Sequence, residues 1–171
     1  MFKGHPLRAP RGAARPTLDR VREALFSIVG PVDGLRVLDL YAGSGALGIE
    51  ALSRGAASAM FVDADTVSAR AVRDNLERVG AGDATVKRAD VLRFLRQAAT
   101  RGERWDLVFC DPPYRLAAGL GERLGGMLAP VLEPGARVVC ESSVKQPLEL
   151  DLPLERERRY GDTRVAIYRR G

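Results

Sequence analysis

Short apolar runs alternate along this chain with longer stretches in which apolar residues recur every three or four positions, the pattern of strands alternating with helices. The runs Arg36–Tyr41, Ala59–Asp63, Thr85–Arg88, Asp106–Cys110 and Arg137–Glu141 read as strands, and Glu155–Tyr160 and Thr163–Tyr168 as two more. Helical periodicity covers Thr17–Val29, Ala46–Arg54, Thr66–Val79, Val91–Thr100 and Leu116–Leu132. A helix follows each of the first four strands, so those connections predict parallel crossovers in an α/β fold. Only the turn Tyr160-Gly161-Asp162-Thr163 separates the last two strands, which predicts an antiparallel hairpin at one side of a mostly parallel sheet.

A length of 171 residues fits one domain, 1–171, with residues 1–16 as a basic N-terminal extension. Apolar residues at 46% and charged residues at 29% suit a globular protein in water, and no run nears the roughly 20 apolar residues of a membrane span. Met1–Pro10 carries charges and a proline where a secretion signal needs an apolar stretch, so a cytoplasmic home is expected. The two cysteines, Cys110 and Cys140, lie inside apolar runs and read as reduced, buried thiols. The net charge of +5 hints at a polyanionic partner. It is concentrated at the ends: Lys3, Arg8, Arg11, Arg15, Arg20 and Arg22 face only Asp19 and Glu23, and six arginines in Pro153–Gly171 face Glu155, Glu157 and Asp162.

Two motifs carry chemistry. Asp39-Leu-Tyr-Ala-Gly43-Ser-Gly45-Ala-Leu-Gly48 lies between the first strand and its crossover helix, where open sheets bind nucleotide-like ligands. Asp63 follows Gly43 by 20 residues, the place of a ribose-binding acid in dinucleotide and methyl-donor sites alike. Asp39 favours the methyl donor, because a carboxylate there attracts an ammonium and repels a pyrophosphate. Asp90 opens the helix after the third strand and suits either an adenine amine or a helix cap. The second motif, Asp111-Pro112-Pro113-Tyr114, ends the fourth strand. Its carboxylate and the Pro112 carbonyl are two acceptors for the N–H groups of an exocyclic amine, and the Tyr114 ring offers a stacking face for the base. A dehydrogenase reading stays open on the glycines alone. It lacks the usual acid, since the one histidine is His5 and no tyrosine has a lysine four residues later.

The glycine turn at 39–48 together with Asp-Pro-Pro-Tyr at 111–114 resembles the class I S-adenosylmethionine-dependent methyltransferases that act on amines. Arg15-Pro-Thr-x-Asp-Arg-Val-Arg-Glu-Ala-Leu-Phe26 and Tyr160-Gly-Asp-Thr163 narrow the likeness to the bacterial 16S ribosomal RNA guanine-N2 methyltransferases, from about Leu7 to Arg170. The resemblance implies a Rossmann-like seven-stranded sheet in the order 3-2-1-4-5-7-6, strand 7 antiparallel and helices on both faces. That order sets Cys110 and Cys140 on adjacent strands. It implies S-adenosyl-L-methionine as cofactor, with Asp39, Gly43, Ser44 and Gly45 at the methionine part, Asp63 at the ribose and Asp90 at the adenine. Arg15 and Thr17 would close over it, their plain alternatives being a phosphate contact and a helix cap. Asp111, Pro112 and Tyr114 would orient and clamp the base. A monomer acting on 16S ribosomal RNA or the small subunit, without a metal, is expected; adenine-N6 methylation of nucleic acid is the nearest alternative.

Overall fold

The computed structural model describes residues 16–113 and 119–171, with side chains from Arg20 onward. Seven strands form one sheet: β1 (Arg36–Leu40), β2 (Ser58–Asp63), β3 (Ala84–Arg88), β4 (Trp105–Cys110), β5 (Leu132–Ser143), β6 (Leu154–Tyr160) and β7 (Thr163–Arg169). Their order is β3-β2-β1-β4-β5-β7-β6, and β7 runs antiparallel to both neighbours, as the resemblance implies. Around it lie α1 (Pro16–Val29), α2 (Ala46–Ser53), α3 (Thr66–Val79), α4 (Val91–Thr100) and α5 (Leu120–Leu128), with a 3₁₀ turn at Ala129–Val131.

The central strands are apolar at successive positions because both faces are covered. Val37, Phe61, Leu107, Phe109 and Val139 pack beneath α1, α2 and α3, where the Phe26 and Phe109 rings meet at 5.6 Å. Leu38, Leu40, Val108, Cys110, Val138 and Cys140 pack beneath α4 and α5, and there Phe94 meets Trp105 at 5.9 Å. Cys110 and Cys140 are direct register partners on β4 and β5, both buried free thiols.

Three predicted elements change, among them the fifth strand, which is expected over Arg137–Glu141 and spans Leu132–Ser143. The helix expected over Leu116–Leu132 is shorter at its C-terminal end: α5 stops at Leu128, the chain tightens through Pro130, and Leu132 already pairs with Trp105 as the start of β5. Proline offers no amide to continue the helical ladder, and this is why the turn falls there. The N-terminal part of that expected helix, 116–118, lies outside the described residues. Tyr41 also leaves the first strand, with a left-handed φ of 56° unusual for a tyrosine, so the chain turns sharply above the sheet into the glycine motif.

On α5, a Cβ on Gly121 would meet the Glu149 carbonyl oxygen at 1.9 Å, and one on Gly125 the Asp151 amide at 2.8 Å. These glycines let the segment entering β6 lie directly against the helix.

Candidate active site

The chain leaves β1 toward β2 on one side and β4 toward β5 on the other, so a crevice opens above the carboxyl ends of β1 and β4. Both motifs converge there. Every polar group of the glycine turn that the structure pairs is held by the protein itself. The Gly48 amide donates to Asp39 Oδ2 and the Gly43 amide to Asp63 Oδ2, each at 2.9 Å. Asp63 Oδ1 accepts the Asp65 amide, the Gly45 amide donates to the Ala42 carbonyl, and the buried Asn75 side chain donates to the Ser44 carbonyl at 2.9 Å. Gly45 adopts φ 78° against Val72 and Phe61, a conformation and a closeness that glycine alone meets without strain.

Register explains the electrostatics. Asp39 pairs with Phe61 and with Phe109, and Phe109 pairs with Val139. Asp63, Asp111 and Glu141 each lie two residues further on, so four carboxylates gather at one face of one end of the sheet. Asp39 is 3% exposed, and burial lifts its pKa to about 7; the Gly48 hydrogen bond works against that rise and the charge of Asp63 adds to it. Asp111 is exposed by area, yet protein atoms surround its carboxyl. That desolvation raises its pKa well above the usual range, and the charges of Glu141 and Asp39 raise it further. Burial likewise raises Glu141, and it raises the Tyr41 hydroxyl, which lies among Cys110, Asp90 and Arg123.

Of the other expected site residues, Pro112 is buried, and Asp90 caps α4 by accepting the Arg93 amide at 2.9 Å. Tyr114, Arg15 and the side chain of Thr17 lie outside the described residues. Sequence reasoning missed Asn75, Tyr41 and Glu141. A signal for the last existed: Glu141 follows a cysteine-ended apolar run just as Asp111 does. Among the described residues, no group of histidine, cysteine or acidic side chains is arranged to hold a metal, and no helix is long and apolar enough to cross a membrane. A cavity of about 760 Å³ lies at the opposite end of the sheet between Arg36, Ser58, Asp83, Lys87 and Trp105. It is remote from both motifs and from the crossover point, so size there does not mark the chemistry.

A family model described as conserved hypothetical protein 95 matches residues 1–169. Ribosomal RNA small subunit methyltransferase D of Escherichia coli (strain K12) is 37% identical over 99% of this chain and 86% of its own length. The chain belongs to this family, that of the bacterial small-subunit ribosomal RNA methyltransferases. YlbH of Bacillus subtilis (strain 168), provisionally named an rRNA methyltransferase, is 40% identical over 98% of this chain and 95% of its own. The solved structure of yhhF from Escherichia coli, provisionally a methyltransferase, superposes with a TM-score of 0.80 at 37% identity, covering 95% of this chain and 90% of that one. The family's fold is therefore the class I methyltransferase fold, and the sheet order agrees with it.

The raised Asp39 carboxyl makes a testable pH dependence. A carboxyl whose folded pKa lies near 7 holds its proton more tightly than in the unfolded chain. Its contribution to stability is therefore full below about pH 4 and is lost as pH rises through about 7. Melting curves from pH 4 to 8 should show Asp39→Asn gaining on the parent across that window, by up to a few kcal/mol. Parallel curves for the two proteins would show that the site is not so desolvated.

Proposed function

We propose that this protein transfers a methyl group from S-adenosyl-L-methionine to the exocyclic N2 amine of a guanine in small-subunit ribosomal RNA. One observation carries the choice of cofactor. In a pyrophosphate site the amides of the glycine turn face the ligand, whereas here Asp39 and Asp63 occupy the Gly48 and Gly43 amides and present negative charge. An ammonium and a sulfonium suit that crevice; a dinucleotide does not.

On this reading Asp39, Gly43, Ser44 and Gly45 border the methionine part, Asp63 the ribose and Asp90 the adenine, while Arg15 and Thr17 close over them. The bound cofactor supplies a methyl group on positively charged sulfur. Asp111 and the Pro112 carbonyl accept the N–H groups of the target amine and aim its lone pair, and the Tyr114 ring stacks on the base. Burial and two like charges make the Asp111 carboxylate a stronger base than an ordinary aspartate, suited to take the proton that the methylated amine sheds. A base-paired guanine keeps N2 inside the duplex, so the target is unpaired or flipped out at a cost of roughly a few kcal/mol. The whole chain, 1–171, acts as one domain, a cytoplasmic monomer whose partner is 16S ribosomal RNA or the small subunit.

Thermal unfolding with each ligand tests the cofactor. S-adenosylmethionine at a hundredfold excess over its Kd should add about 2.7 kcal/mol of stability and NAD should add none. Protection by NAD alone would return the chain to the oxidoreductase reading.

A further inference from the structure

The pairing of β4 with β5 ends at Cys110 and Cys140, and an acidic residue follows on each strand. Cys110 and Cys140 are register partners in the parallel β4–β5 pair, so Asp111 and Glu141 stand next to each other at the mouth, on the face that carries Phe109 and Val139. On the other side of Glu141, the β7 register partner is Val165, buried and apolar. Among the described residues none forms a hydrogen bond or ion pair with the Glu141 carboxylate, although the residue is half-buried and its charge acts on Asp111. Two neighbouring carboxylates without a cation repel each other and cost stability. A ligand with several N–H groups in a row would relieve that repulsion. The Watson–Crick edge of guanine has such a row, its N1–H beside the two hydrogens on N2, whereas adenine places a lone pair at N1 beside its amine.

Resting on the methyltransferase reading above, we propose that Glu141 accepts the N1–H of the guanine whose N2 amine is held by Asp111 and the Pro112 carbonyl, so that the carboxylate pair selects guanine over adenine. Adenine would point its N1 lone pair at the Glu141 oxygens. Asp111 and Pro112 alone do not discriminate, since either base offers them a planar amine with two hydrogens. On this account Glu141 is the specificity residue of the site.

The test uses 2-aminopurine, which keeps the N2 amine but has a lone pair in place of the N1–H and a hydrogen in place of O6, so the Glu141 variant separates the two changes. The full-length protein is given RNA carrying either guanine or 2-aminopurine at the modified position, and methyl transfer is followed from labelled S-adenosylmethionine. The wild type should use 2-aminopurine about 10- to 100-fold less well in kcat/KM, the discrimination expected from one well-placed polar contact to a base. Glu141→Gln supplies an amide that donates to a bare N1 as readily as it accepts from an N1–H, so it should bring the two RNAs within about threefold of each other. Its cofactor affinity by calorimetry should match the wild type, which also reports that it folds. Equal use of both RNAs by the wild type, or an unchanged preference in Glu141→Gln, would overturn the role of Glu141 alone. Should that variant not fold, Glu141→Ala takes its place: it removes the acceptor for the N1–H and leaves any contact to O6, so a guanine preference as large as the wild type's would overturn the role. Transfer to neither RNA, with no protection by S-adenosylmethionine, would instead bring down the methyltransferase reading on which the proposal stands.

Discussion

Replacing Asp111 by alanine is expected to lower kcat by about 10²- to 10⁴-fold and to leave cofactor affinity unchanged. The loss is large because one carboxylate has two tasks: it holds the amine in line with the methyl group, and it takes the proton afterwards. Asp111→Asn keeps an acceptor oxygen but no basicity, so it should retain more activity than alanine. Single-turnover rates with labelled cofactor, beside calorimetric titration, separate the two effects. Stability gives an independent sign. A carboxyl raised by burial and by Glu141 and Asp39 contributes stability at low pH that is lost as pH rises, so at pH 8 Asp111→Ala should melt higher than the parent. A lower melting temperature, or a matching loss of cofactor binding, would mark Asp111 as a structural cap on β4.

Gly48→Ala is expected to cost about 1–3 kcal/mol of stability and to weaken cofactor binding by about tenfold or more. The added Cβ would stand 2.3 Å from Cε1 and 2.7 Å from Cζ of Phe61, and 3.1 Å from Asp39 Oδ2. Phe61 is fully buried among Val37, Val72 and Phe109, so its ring has no empty space to enter. The first turn of α2 must move instead, and with it the amide that fixes the Asp39 carboxylate. Gly43→Ala is the control. At that position the nearest atom to a Cβ is the Tyr41 carbonyl oxygen at 4.0 Å, and the penalty is that of the left-handed φ alone, roughly 1–2 kcal/mol. Denaturant curves should rank Gly48→Ala below Gly43→Ala in stability; the reverse order would show that the Phe61 ring yields to the added Cβ.

Much of the fold is legible in the sequence because a parallel sheet covered on both faces leaves apolar runs that only a buried strand explains. The hairpin of β6 and β7 was readable from Gly161 and Asp162 standing between two strand-like runs. The C-terminal limit of α5 was less so, since Leu128–Leu132 is as apolar as a helix face and only Pro130 warns of the turn. Spacing also located Asp39 and Asp63 beside the glycine turn. It left open what they do there, because glycine fingerprints are alike for two cofactor classes, and their hydrogen bonds to the Gly48 and Gly43 amides needed coordinates. Asn75 lies deep in α3, far from either motif in the chain, and the one signal it carries is a polar residue on an otherwise apolar helix face. Glu141 became notable only when register set it beside Asp111.

The central claim is methylation of guanine N2 in small-subunit RNA. The measurement that tests it most directly is mass spectrometry of nuclease digests of that RNA, taken from cells lacking this protein and again after incubation with the purified protein and S-adenosylmethionine. The expected result is one N2-methylguanosine missing from the first sample and restored in the second. N6-methyladenosine appearing in its place, or methyl transfer confined to duplex DNA, would contradict the account.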